Sequence, residues 1–99
     1  MENTTNNQTK KPRRSETISR IVLELAIIQS QSSEEDIKRT YWHFTGFLAG
    51  LQFVHLLSNN QFNELNALGQ RATGFCKREH LPEGDELRGV IAEILFHTK

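Results

Sequence analysis

Ninety-nine residues are enough for one hydrophobic core and too few for two. A 36% apolar share beside 24% charged residues lies below the usual globular average but well above a disordered chain, and eight aromatic residues supply a modest core. Formal charge is zero overall, but residues 1–14 hold Lys10, Lys11, Arg13 and Arg14 against Glu2, leaving +3 there and −3 on the rest. Such a balance excludes a domain that is basic throughout, so phosphate attraction has to come mainly from the leading arm.

Residues 1–14 read MENTTNNQTKKPRR, a polar and then basic run that buries too little to offset its ordering entropy. We expect a disordered arm over 1–14 and one helical domain over 15–99. The arm lacks an apolar leader segment, and the single Cys76 cannot form an internal disulfide. The most apolar run, Phe44–Leu57, is interrupted by Thr45, Gln52 and His55 and is too short for a membrane span. A cytoplasmic protein without a membrane partner is the expectation.

Ser15 is the natural cap of a first helix over 15–29. Ile18, Ile21, Val22, Leu25 and Ile28 recur at helical spacing, and Arg20 with Glu24 forms an opposite-charge pair four residues apart. The β-branched content of the segment also suits a strand, but strict alternation is absent. Ser32 followed by Glu35 makes a capping box, with Ser33 and Asp36 a related arrangement one residue on. A long helix over 34–57 then carries Ile37, Tyr41, Phe44, Leu48 and Leu51 on one face.

Its opposite side carries Trp42, Gly46, Phe53 and Leu57, with Gly50 beside them. A second apolar stripe is more than a small surface helix requires. It predicts a second contact, either inside the monomer or with a partner. Gly46 and Gly50 form a GxxxG pattern that would permit a tight crossing with another helix. His55 is expected at the core edge and His43 at the surface.

A break over 58–61, with Asn60 as cap, leads to a third helix over 61–72 built on Phe62, Leu65, Leu68 and Ala72 and stopped by Gly74. Residues 75–81 have no clear pattern and are expected to form an irregular turn or a short helical continuation. Pro82 suits a first helical position, and a fourth helix over 83–97 carries Leu87, Val90, Ile91, Ile94 and Leu95. The expected fold is all-α: a small bundle of about four helices behind a disordered arm.

Nothing in the chain composes a reaction centre. Cys76 and His80 are two ligands at most, and a structural zinc site needs four. The basic neighbours of Cys76 supply neither an oriented base nor an oxyanion hole. No glycine-rich phosphate loop is present. We therefore expect no enzyme, metal or cofactor. The expected role is that of a small regulatory or adaptor protein binding a protein partner, and forming a homodimer, through Trp42, His43, Gly46, Gly50, Phe53 and Leu57. The alternative is a dimeric nucleic-acid-binding regulator. In that reading Lys10, Lys11, Arg13 and Arg14 grip phosphate, while Asn63, Asn66, Gln70 and Arg71 of a helix-turn-helix-like hairpin contact bases.

Overall fold

The computed structural model describes residues 14–74 and 81–99, and every regular element among them is a helix. In chain order these are α1 (Arg14–Ser30), α2 (Glu34–Phe53), α3 (Asn59–Ala72) and α4 (Gly84–His97). The expectations for residues 1–13, and for Cys76 and His80, fall outside the described residues.

Burial settles α1 in favour of helix. Ile18, Ile21, Leu25 and Ile28 are buried in a row, with Val22 packed at their edge. This tertiary packing outweighs the modest helix propensity of Ile and Val. Ser15 lies inside the first turn and is not the cap, because the helix already includes Arg14. At the other end Ser30 Oγ and Gln31 Nε2 both donate to the Ile27 carbonyl, at 2.8 and 2.9 Å.

The cap of α2 is Ser33, one residue later than the Ser32–Glu35 box. Ser33 is extended, and its hydroxyl accepts from the Asp36 amide at 3.1 Å. Phe44 and Leu48 are fully buried, with Ile37, Tyr41 and Leu51 packed alongside. Two contacts set an antiparallel register between α1 and α2. The Arg20 guanidinium sits 5.4 Å from the Phe47 ring centre, and His43 Nδ1 lies 3.4 Å from Glu24 Oε1. In each pair the residue numbers add to 67.

The helix stops four residues short of the expected Leu57. His55 adopts φ 65°, and its amide donates to Gln52 O at 3.0 Å while Leu56 N donates to Leu51 O at 2.8 Å. That pair of bonds is a Schellman cap, with His55 in the left-handed position that glycine usually takes. His55 is consequently exposed, away from the core edge where the helical pattern put it.

The next cap is Ser58 instead of Asn60. Its hydroxyl accepts from Gln61 N at 3.1 Å, and Gln61 Oε1 accepts from Ser58 N at 2.7 Å, completing a capping box. Gln61 Nε2 also donates to Leu95 O and Thr98 O at the end of α4, at 3.2 and 2.9 Å.

A second antiparallel register joins α2 to α3. Gln52 meets Asn59 at 2.7 Å, Thr45 meets Asn66 at 2.9 Å, and Tyr41 meets Gln70 at 3.3 Å. The residue numbers of all three pairs add to 111. The close approach in this hairpin falls at Gly69, where an added Cβ would lie 2.6 Å from Phe44 Cδ2. The described residues do not make the tight crossing expected at Gly46 and Gly50, since none of them lies within 4 Å of an added Cβ at either.

Gly74, at φ 74°, ends α3 as expected. Pro82 precedes the first turn of α4, which opens at Gly84. Leu87, Ile91, Ile94 and Leu95 supply its buried face, and Arg88 Nη1 reaches Ser19 Oγ at 3.2 Å. α1 and α3 each pack on all three other helices, whereas α2 and α4 do not meet. The core therefore lies around α1 and α3, and α2 keeps an outer face that no helix among the described residues covers.

Candidate interaction surface on the second helix

α2 meets α1 along one flank, through His43 and Phe47, and α3 along the other, through Tyr41, Thr45 and Gln52. Phe44 and Leu48 point between them. At 100° per residue, Trp42, Gly46, Ala49, Gly50 and Phe53 fall roughly opposite that buried face. All five are exposed, with Trp42 at 66% and Phe53 at 84% of their full accessibility. Val54, at 52%, extends the strip past the helix end.

A face this apolar is unusual on a surface helix, and its neighbours are uncharged as well. No Asp, Glu, Lys or Arg occurs from Thr40 to Asn63. Trp42 is braced by Tyr41, the ring centres standing 5.6 Å apart at 57°. Phe53 is held at a corner fixed by the Schellman cap and by the Gln52–Asn59 bond. Both aromatic side chains thus project from hydrogen-bonded helical backbone.

Two of the six expected interface residues stand elsewhere. Leu57 is only 5% exposed and belongs to the core, because the turn after Phe53 swings it inward. His43 is exposed but turned towards Glu24 on the α1 flank. Among the described residues the rest of the stripe, Trp42, Gly46, Gly50 and Phe53, stays exposed. Leu23, Ile27 and Phe96 are also exposed, outside the expected interface. Their only signal is that they fall off the main stripes of their helices.

Glu24 is the buried charged side chain among the described residues, at 4% exposure. Arg20 Nε donates to its Oε2 at 2.9 Å, and His43 adds a second ionic partner when protonated. The cluster fastens α1 to α2 and offers no open position for a substrate. No group of three or more His, Cys, Asp or Glu among the described residues is placed to hold a metal. A hollow of about 420 Å³ lies beside Ser15, Glu16, Ser19, Arg20 and Leu23, and among the described residues α1 alone lines it.

The geometry of the α2–α3 pair bears on the nucleic-acid reading. A helix-turn-helix crosses its helices at roughly 90–120°. Here hydrogen bonds link the two helices from Gln52–Asn59 at the turn to Tyr41–Gln70 at the far end, which requires nearly antiparallel axes. Asn66 is committed to Thr45 and Gln70 to Tyr41, Arg71 is half-buried, and Asn63 is exposed. The α2–α3 pair thus lacks the helix-turn-helix crossing, and two of the four expected base-contacting side chains are engaged within the hairpin. Lys10, Lys11 and Arg13 lie outside the described residues, and Arg14 opens α1.

No helix among the described residues is long and apolar enough to cross a membrane. The chain matches no protein-family model, and no curated protein or solved structure is similar to it.

Proposed function

We propose that this chain is a non-catalytic regulatory or adaptor protein that acts by binding protein through the outer strip of α2, with Trp42 and Phe53 as anchors. The observation that carries this reading is the pair of solvent-exposed aromatic rings, Trp42 packed on Tyr41 and Phe53 at the helix end, at the two ends of an uncharged helix face. Broad rings held on ordered backbone contribute large contacts at small entropic cost, which is why Trp and Tyr dominate interface hot spots. Gly46 and Gly50 leave the backbone between them bare for close approach. With one cysteine and no disulfide framework, the cytoplasm is the compartment we assign.

The test is affinity capture with four folded proteins: wild type, Trp42→Ala, Gly50→Leu, and a variant with Lys10, Lys11, Arg13 and Arg14 changed to Gln. Proteins retained by wild type should be lost from both helix variants and kept by the arm variant. Capture that survives both helix changes and vanishes with the arm charges, especially if nucleic acid is recovered and high salt releases it, refutes the reading.

A further inference from the structure

We infer that the occupant of the α2 strip is a second copy of this chain, packed antiparallel about a twofold axis between Gly46 and Gly50. The inference rests on reading the strip as an interface and adds its partner. Along about 16 Å of helix the strip runs bulky, bare, bare, bulky: Trp42, Gly46, Gly50, Phe53. A twofold axis at its centre sets Gly46 against Gly50 of the partner subunit and Trp42 beside the partner's Phe53 and the partner's Val54. The patch is then complementary to itself, as an isologous contact requires.

Charge favours the same occupant. The chain is neutral overall, and the strip lies in the charge-free run from Thr40 to Asn63. Both cations just before it are matched within α2, Lys38 to Glu34 at 3.3 Å and Arg39 to Asp36 at 2.8 Å, and Glu35 stands seven residues before Trp42. His43 is the nearest basic group, and it faces Glu24 of α1, which Arg20 also pairs. Two copies meet there without like-charge repulsion, whereas a strongly charged partner finds nothing to pair with.

The area is sufficient but not generous. An aromatic side chain offers roughly 150–250 Å², so Trp42 and Phe53 leave on the order of 300 Å² open per copy. Val54, Ala49 and the bare glycine backbone bring the strip to roughly 500–600 Å², so a pair buries about 1,000–1,200 Å², near the lower bound for a specific interface. The dimer is accordingly reversible and concentration-dependent, and a partner protein competes for the strip or binds the surface that the two copies build together.

Sedimentation equilibrium over a range of concentrations reads the association directly. Wild type should dimerise, and Trp42→Ala, Phe53→Ala and Gly50→Leu should each weaken dimerisation by about tenfold or more. Phe96→Ala, which removes an exposed ring from α4, should leave it unchanged. Disulfide trapping reads the geometry. In a Cys76→Ser background, Gly46→Cys chains mixed with Gly50→Cys chains should cross-link more readily than either alone. A wild-type chain that stays monomeric at every concentration overturns the inference, as does preferential cross-linking of Gly46→Cys with itself. If the monomer still captures a protein in a Trp42-dependent way, the interface reading survives without this occupant. If Trp42 and Gly50 matter to neither, both fail.

Discussion

The glycines of α2 and α3 make opposite predictions for the same chemical change. Alanine in place of an exposed helical glycine gains about 0.5–1 kcal/mol, because the unfolded backbone loses freedom and nothing resists the methyl. Gly46 qualifies, since no atom lies within 4 Å of an added Cβ. At Gly69 the same methyl would sit 2.6 and 2.7 Å from Cδ2 and Cε2 of Phe44 and 3.3 Å from Tyr41 Cε1. Phe44 is fully buried, so its ring cannot swing aside, and overpacking of this kind costs about 1–3 kcal/mol. Setting the propensity gain against that cost, Gly69→Ala should be neutral to about 2 kcal/mol destabilising, while Gly46→Ala should be stabilising. In a domain of this size each kcal/mol moves the melting temperature by about 4–8 °C, well within reach of calorimetry on dilute, monomeric protein. Phe44→Leu opens space at the contact, so in that background the Gly69→Ala penalty should shrink, a coupling that a double-mutant cycle isolates. Equal stabilisation by Gly69→Ala and Gly46→Ala, or a penalty unchanged by Phe44→Leu, would refute the packing described for the α2–α3 hairpin.

His55 holds φ 65° with an exposed side chain. Since the left-handed conformation costs an L-residue about 1–2 kcal/mol, His55→Gly should raise the denaturant midpoint by the equivalent of about 0.5–1 kcal/mol. A lowered midpoint would mean that the imidazole contributes a contact outweighing the strain. Leu48 is fully buried between α1 and α3, so Leu48→Ala should cost about 2–4 kcal/mol in urea unfolding, and a change near zero would contradict its place in the core.

Much of the fold was legible because burial imposes its own period. The residues spaced for one face of each helix, such as Ile21, Phe44, Leu65 and Ile91, are those at the centre of the core. Capping chemistry marked the helix starts to within one or two residues, and the shifts from Ser32 to Ser33 and from Asn60 to Ser58 reflect several hydroxyl and amide side chains competing at each break. The end of α2 was not legible. Neither glycine nor proline occurs between Gly50 and Gly69, and the reversal is made by a histidine held left-handed where α3 docks. Nor could the sequence identify which glycine faces a neighbour, because that depends on the 111 register between two helices and not on either helix alone. The outer strip of α2 was visible as a second apolar stripe. That no described helix covers it follows from the separation of α2 and α4, a property of how the described helices are arranged.

The two hairpin registers also bear on how the chain reaches this state. Contacts such as Gln52–Asn59 and Thr45–Asn66 join residues close along the chain, so closing their loops costs little entropy. The α1–α4 contact between Ser19 and Arg88 spans 69 positions and rewards the chain only after a much larger loop has closed. An order follows in which α1, α2 and α3 zip together from their turns and α4 docks onto the α1–α3 surface last, drawn to the corner where Gln61 waits with its amide for the carbonyls of Leu95 and Thr98.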